Sequence, residues 1–166
     1  MAYLSTRVRA ANPEDAPEVT ALWNSVISET TITFTTDAKS NDVIRARLAE
    51  QSIGNRAFVA ERAGKFAGFV LSFPFRAGAG YARVGEFSVY VTPDAQGAGV
   101  ARALVDRLSG ALKSDGLTQL VAGISGENTN AIEFHQRLGF AHVGRLPAVG
   151  FKFGRSLDLV FMQKTL

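Results

Sequence analysis

The feature that most constrains the fold is a strand-like segment that runs through a glycine-rich turn directly into a helical one. Residues 83–91, RVGEFSVYV, are rich in β-branched and aromatic side chains and predict a central strand. Residues 92–98 form the turn. Residues 99–114 carry apolar side chains at helical spacing, namely Val100, Leu104, Leu108, Ala111 and Leu112. A strand joined to a helix in this way predicts a fold in which helices cover a sheet.

The same two patterns extend over the rest of the chain. Asn12 followed by Pro13 marks a helix start, with Asn as the cap. The Thr-rich residues 29–36 predict either a strand or a loop. The expected strands cover residues 5–10, 56–61, 65–73, 83–91, 119–124, 141–149 and 156–163, and the expected helices begin near residues 13, 40, 99 and 131.

The resulting element order, β-α-α-β-β-β-α-β-α-β-β, predicts the fold class. It is typical of an α/β (α+β) fold with a mixed, largely antiparallel central sheet flanked by helices. The chain has 166 residues, a length that builds one hydrophobic core without disulfide bonds. We therefore expect a single domain over residues 1–166.

Composition excludes several classes of protein. Apolar residues make up 46% of the chain and Phe occurs 12 times, so the chain is not intrinsically disordered. It has no cysteine, which excludes a disulfide framework and thiolate catalysis. His135 and His142 do not have the spacing of metal ligands, and no carboxylate cluster accompanies them, so we expect no metal site.

Charge and hydropathy indicate the partners to expect. The net charge is +3, but the basic residues are scattered, so we expect no nucleic-acid partner. No apolar stretch approaches the roughly 18 residues of a membrane-spanning helix. Residues 1–10 contain no apolar block typical of a signal peptide. We therefore expect no membrane partner and a cytoplasmic location.

The glycine-rich turn has the chemistry of an anion-binding site. The first N–H groups of a helix have no partner within the helix, and the helix dipole makes that end positive. Gly97 and Gly99 add no bulk, so a pyrophosphate can lie against those N–H groups. The alternative is that the glycines only allow a tight strand-to-helix connection. The turn has neither the Gly-Lys-Ser/Thr of a P-loop nor the three glycines of a Rossmann turn.

Two sequence blocks are similar to those of the Gcn5-related N-acetyltransferase (GNAT) superfamily. Its acetyl-CoA signature is Gln/Arg-x-x-Gly-x-Gly/Ala, and residues 96–101, QGAGVA, match every specified position. Residues 128–140, NTNAIEFHQRLGF, match the second block. The 28 residues between Gly99 and Asn128 hold one predicted helix and one predicted strand, as the superfamily requires. The resemblance implies an acyl-CoA N-acyltransferase fold with acetyl-CoA as co-substrate.

Within this superfamily the chain most resembles the phosphinothricin and methionine sulfoximine N-acetyltransferases. The matching segments are residues 86–91, 138–140 and 149–154, and Asp158 ahead of 162–163. Ser156 departs from the group, which usually has Trp there. The resemblance implies acetyl transfer to the amine of a small amino-acid-like acceptor, by direct attack in a ternary complex, and a homodimer. The alternatives are another amine (a polyamine, an aminoglycoside or a protein N-terminus) or a non-catalytic acyl-CoA binding module.

The resemblance also implies roles for individual residues. Glu86 would take the proton from the acceptor amine, because burial in an apolar strand raises the pKa of a carboxyl group. Alternatively, Glu86 is a surface-facing strand carboxylate paired with Arg83 or another neighbour. His135 would protonate the leaving thiolate, or is a structural histidine. The implied cofactor contacts are Val89, Tyr90, Val91, Gln96, Gly97, Ala98, Gly99, Val100, Ala101, Arg102 and Asn128.

Some of the implied contacts have plainer explanations. Val89 and Val91 can be core residues, Arg102 a solvated residue of the first helical turn, and Asn128 a helix cap. The implied acceptor contacts are Phe34, Phe73, Arg76, Tyr81 and Lys152. Of these, the two cations suit a carboxylate or a phosphinate, and each is alternatively an ordinary surface cation.

Overall fold

Strands and helices follow one another in the predicted order. The computed structural model describes residues 5–166, so residues 1–4, part of the segment expected to lack a signal peptide, lie outside the described residues. The strands are β1 (Thr6–Ala10), β2 (Ala57–Arg62), β3 (Lys65–Pro74), β4 (Val84–Val91), β5 (Gln119–Ser125), β6 (Ala141–Lys152) and β7 (Arg155–Thr165). The helices are α1 (Ala16–Glu29), α2 (Asn41–Ala49), α3 (Val100–Ser114) and α4 (Thr129–Arg137). The predicted fold class is confirmed.

Local hydrogen bonds explain where the elements differ from the predictions. Helix α4 begins two residues before the predicted start because the Asn128 side chain caps it, accepting from the Ala131 N–H at 3.1 Å. The Thr-rich segment is a loop, which we call the α1–α2 loop, residues 30–40. Its hydroxyl groups bond locally, as when Thr30 Oγ1 donates to the Val26 carbonyl at 2.7 Å. Such bonds compete with a strand ladder.

The sheet contains one parallel pair of strands, and these two strands separate partway along their length. The strand order is β1-β2-β3-β4-β5-β7-β6, and among these seven strands only β4 and β5 are parallel neighbours. They pair only along residues 84–86 and 119–121. Because β4 continues to Val91 and β5 to Ser125, the two strands separate and leave a gap in the middle of the sheet.

The gap lies between two apolar cores on opposite faces of the sheet. Helix α3 packs Leu108 and its neighbours against one face, and α1 and α2 pack residues such as Ile44 against the other. Side chains alternate between the faces along a strand. In β4, Phe87 therefore joins the α3 core while Tyr90 joins the α1–α2 core. The same alternation directs Glu86 to the α1–α2 face.

The α1–α2 loop is fastened to strand β6. The Nζ of Lys152 donates to the Thr33 carbonyl at 2.8 Å. The ring of Phe34 lies directly on Gly150, where a Cβ would overlap the ring, so only glycine leaves room. Lys152 is 3% exposed, and burial lowers the pKa of its ammonium group. These contacts hold the loop at the end of the gap.

Candidate active site

Two adjoining cavities open from the gap between β4 and β5. The first has a volume of about 530 Å³ and lies between the two strands, the glycine-rich turn and α4. The second, of about 270 Å³, lies on the α1–α2 face. The residues that line both cavities are Ile32, Ser88, Tyr90 and Gly123. A ligand in one cavity is therefore in reach of a ligand in the other.

The first cavity contains nearly all of the predicted cofactor contacts. Those that line it are Val89, Tyr90, Val91, Gln96, Gly97, Gly99, Val100, Ala101, Arg102 and Asn128. The exception is Ala98, which packs against the α3 core instead. Asn128 both caps α4 and lines the cavity, so its role as a helix cap is compatible with the predicted cofactor contact. Contact of these residues with a cofactor stays a prediction.

Sequence reasoning identified His135 but missed most of the other residues by which α4 lines the first cavity. Asn130, Phe134 and Arg137 also line it. Their spacing of four and three residues places them on one side of a helix. That spacing was the available signal, but nothing in the sequence indicates which side of α4 faces the gap.

The turn into α3 presents backbone N–H groups to the first cavity. Gly97 and Gly99 have left-handed backbone conformations, with φ of 74° and 81°. These conformations favour glycine at both positions whether or not an anion binds. They are therefore also consistent with the alternative that the glycines only allow a tight connection between strand and helix. Gly99 precedes α3 and has no side chain to cap it, so the first-turn N–H groups of α3 are available to an anion. Arg102 is exposed beside them.

Glu86 is half-buried and lines the second cavity. Burial raises the pKa of its carboxyl group, and the nearby positive charge of Arg76 partly opposes this. The ion pairs within residues 5–166 do not include Glu86, so the alternative of a surface pair with Arg83 is not found. A Cβ at Gly123 would lie 3.2 Å from Glu86 Oε1, so the missing side chain gives the carboxylate its space.

His135 lines the first cavity but is enclosed by aromatic rings. It is 5% exposed, with ring centroids of Phe87, Phe134 and Phe140 between 5.2 and 5.7 Å away. Its Nδ1 lies 2.7 Å from the Ala131 carbonyl oxygen, which only accepts, so Nδ1 carries the proton and Nε2 of the neutral ring is an acceptor. Burial lowers the pKa of His135, which favours the neutral ring. The predicted acid role requires a proton on Nε2 and stays a prediction.

The predicted acceptor contacts divide into two groups. Phe34 and Phe73 line the second cavity. Arg76 lies outside the lining, with its guanidinium 5.2 Å from the centre of the Phe75 ring. Tyr81 is 46% exposed and packs edge-on against the same ring. Lys152 lies behind the cavity wall, where its ammonium group holds Thr33.

The second cavity also contains residues that sequence reasoning missed. Besides Phe34, Phe73 and Glu86, its lining comprises Trp23, Ile32, Thr33, Thr35, Ser88, Tyr90, Gly123, Ser125 and Leu159. The available signal was the period of two along β4 and β5, which places Ser88 with Glu86 and Ser125 with Gly123. Trp23 of α1 could not be assigned, because it reaches the cavity only through the tertiary fold, and of the α1–α2 loop only Phe34 was predicted by name.

Residues 5–166 contain neither a cluster of metal ligands nor a membrane-spanning helix. No group of three or more His, Cys, Asp or Glu side chains in that part of the chain could hold a metal ion. None of the helices there combines the length and the apolar character needed to cross a membrane.

Known proteins share this sequence pattern over most of the chain. The profile of the acetyltransferase (GNAT) family matches residues 20–140. The chain is 34% identical over 168 residues to phosphinothricin N-acetyltransferase from Alcaligenes faecalis, covering 100% of this chain and 85% of that protein. It is 34% identical over 160 residues to L-methionine sulfoximine/L-methionine sulfone acetyltransferase from Salmonella typhimurium, covering 96% and 94%.

The fold is likewise shared with a solved structure that contains a cofactor. That structure is yncA, described as a putative acetyltransferase from Salmonella typhimurium with its cofactor acetyl-CoA. The two structures superpose with a TM-score of 0.92 and 34% sequence identity, over 98% of this chain and 94% of that one. The chain belongs to the GNAT family of acetyltransferases and is an acetyl-CoA-dependent N-acetyltransferase.

Proposed function

We propose that the enzyme transfers the acetyl group of acetyl-CoA to the amine of a small amino-acid-like acceptor, of the phosphinothricin or methionine sulfoximine type. The observation that carries this proposal is the meeting of the two cavities at Ser88 and Gly123, beside the Glu86 carboxylate. A thioester in the first cavity and an amine in the second meet where a base is available. The names of both relatives support the acceptor, and acetyl-CoA in the Salmonella structure supports the donor.

The first cavity suits a donor with an anionic end and a thioester end. The N–H groups at the start of α3 bind the pyrophosphate, and Arg102 and Arg137 add positive charge. The pantetheine arm follows the edge of β4 along residues 87–91, which are not paired with β5. Backbone N–H groups of that edge stabilise the oxyanion that forms from the thioester carbonyl.

Direct attack needs no nucleophile from the enzyme. Glu86 takes one proton from the acceptor ammonium, and the neutral amine attacks the thioester carbon. The C–N bond forms, and collapse of the tetrahedral oxyanion breaks the C–S bond. The extra proton on nitrogen then moves to the departing thiolate, directly or by way of Nε2 of His135. Glu86 returns its own proton to solvent, which completes the cycle.

The second cavity suits an α-amino acid. Phe34 and Phe73 give it aromatic walls, and a guanidinium binds carboxylates through two parallel hydrogen bonds, the role we assign to Arg76. Lys152 contributes by fastening the α1–α2 loop, and Tyr81 by supporting the ring under Arg76. The cytoplasmic location expected from the sequence stays a prediction.

Release of free thiol from acetyl-CoA in the presence of different amines tests the proposed acceptor class. The panel contains phosphinothricin, methionine sulfoximine, spermidine, kanamycin and a peptide with a free N-terminus. We expect the highest kcat/KM for the two amino-acid analogues. Faster turnover of a polyamine, an aminoglycoside or the peptide would contradict the proposed acceptor class, while acetyl transfer to an amine would remain the reaction. Binding of acetyl-CoA without turnover of any amine would indicate a non-catalytic module.

The variant Glu86→Gln tests the base. A general base contributes about 100-fold or more, so we expect kcat/KM at pH 7 to fall by at least that factor. Because burial raises the pKa of Glu86, the wild-type enzyme loses its charged base as pH falls through a value above the ordinary glutamate range. The acid limb of its kcat/KM profile reports this loss, and the variant lacks that limb. Full activity of the variant across the pH range would show that Glu86 is not the general base.

The variant Gly123→Ala tests the geometry of the junction. Its methyl group would lie 3.2 Å from Glu86 Oε1 and forces the carboxylate to move by a few tenths of an ångström. We expect kcat to fall by about tenfold, since small misplacements of reacting groups are costly. Gly110→Ala in α3 is the control, because its Cβ meets no atom within 4 Å. Equal kcat values for the two variants would contradict this assignment.

We further propose that the enzyme is a homodimer that pairs through the outer face of β6. Large apolar side chains are exposed along this strand and the turn that follows, at Val143, Leu146, Val149, Phe151 and Phe153, each between 43% and 67% exposed. Contiguous exposed apolar surface of this kind marks interaction sites. In a dimer with two-fold symmetry, this face of β6 in one copy would pack against the same face of the second copy.

Light scattering during size-exclusion chromatography tests the dimer. We expect the wild-type chain to elute with twice its 17.8 kDa mass and Phe151→Asp to elute as a monomer, because the charge cannot be buried in an apolar interface. Val43→Asp on α2 is the control, at a side chain that is 60% exposed and outside β6. A monomeric wild-type chain, or a dimer that persists in Phe151→Asp, would contradict this surface.

A further inference from the structure

Ser125 places an unpartnered hydroxyl group in the wall of the second cavity. It is the last residue of β5 and is 2% exposed. Among the residues that the structure describes, no group hydrogen-bonds to its Oγ, although the atom is fully buried. A buried hydroxyl without a partner destabilises the folded state, so its presence needs an explanation. Because Ser125 is one of the residues that line the cavity, a ligand bound against this wall can supply the missing partner.

The position of Ser125 is fixed relative to the base. It lies two residues after Gly123 and so on the same face of β5, the face that meets the Glu86 carboxylate. In the ladder it stands opposite Leu159 of β7, which also lines the cavity. Its carbonyl accepts from the Asn128 N–H at 2.9 Å. The carbonyl of Ser125 is therefore already engaged, whereas its hydroxyl has no partner among the described residues.

The chemistry of the reaction provides a suitable partner. Once Glu86 has taken a proton, a primary amine still has two N–H groups and one lone pair. Attack requires that the lone pair point at the thioester carbon in the adjoining cavity. A hydrogen bond from one N–H to a fixed oxygen on the cavity wall restricts the rotation of the amine. Such an oxygen has to belong to a residue that lines the same cavity as Glu86, and Ser125 is one of these residues.

We propose that Ser125 Oγ accepts a hydrogen bond from the acceptor amine and orients it for attack. This role rests on the proposed function, since it needs an amine in the second cavity. It makes Ser125 an acceptor-binding residue, and it explains why a hydroxyl that weakens the free protein is present. Binding of the amine supplies the missing hydrogen bond.

Alanine substitution separates this role from a structural one. Ser125→Ala removes a hydroxyl that has no partner in the free protein, so we expect its Tm without ligands to be equal to or above that of the wild type. We expect kcat/KM for the acceptor to fall about tenfold, and KM for acetyl-CoA to stay within about twofold. Ser125→Thr keeps a hydroxyl at the same position and is expected to restore most of the activity.

Ser109→Ala is the matched control. Its Oγ is also buried without a partner, but it lies on α3 outside the lining of both cavities. We expect this variant to retain Tm and wild-type kinetics. The inference is overturned if Ser125→Ala matches Ser109→Ala in kcat/KM, if it lowers Tm, or if Ser125→Thr is as impaired as Ser125→Ala. Failure of the wild type to acetylate any amine would overturn the proposed function together with it.

Discussion

The separation of β4 from β5 is the constraint on which the rest of the site depends. The two strands pair at residues 84–86 and 119–121 and then diverge, so the sheet contains a gap between residues 87–91 and 122–125. Parallel strands that remained paired would satisfy their backbone groups with each other and leave no room between them. The gap instead exposes one edge of β4 to the first cavity, directly beyond Glu86. It also connects that cavity to the second one at Ser88 and Gly123.

Burial on the two faces of the sheet gives the titratable groups different properties. On the α1–α2 face, Glu86 is half-buried and its pKa is raised, with Arg76 opposing the shift. On the α3 face, His135 is enclosed by aromatic rings and its pKa is lowered. Burial thereby makes the Glu86 carboxylate a stronger base than an exposed glutamate and favours the neutral ring of His135. The two groups meet at neighbouring residues of β4, because Glu86 faces the α1–α2 side and Phe87, which contacts the His135 ring, faces the α3 side.

The acceptor side of the site depends on strand β6. The α1–α2 loop lines the second cavity, and it is held there by Lys152 and by the absence of a side chain at Gly150. The same strand carries the exposed apolar residues through which we propose that two chains pair. Its apolar face thus points away from the chain while its neighbouring residues support the acceptor cavity. In a dimer, the partner would cover the strand that holds this loop.

The sequence predicted those parts of the molecule that depend on local patterns. The strand at β4, the turn at Gly97 and Gly99 and the cap at Asn128 are each determined by residues close together in the chain, and they line the first cavity or the gap as expected. Ser125 and Arg137 were missed because a periodic pattern gives the faces of an element but not which face meets the gap. Lys152 lies behind the cavity wall because its ammonium group is held by the α1–α2 loop, a tertiary contact with Thr33 that chain position does not indicate.

A crystal structure of the wild-type enzyme with acetyl-CoA bound tests the central claim most directly. We expect the pyrophosphate on the N–H groups between Gly97 and Arg102, and the pantetheine arm in the gap along β4. We also expect the thioester carbonyl at the junction of the two cavities, between Ser88 and Gly123 and facing Glu86. A thioester outside the gap, or on the side of the sheet away from Glu86, would contradict the claim that the divergence of β4 and β5 builds this active site.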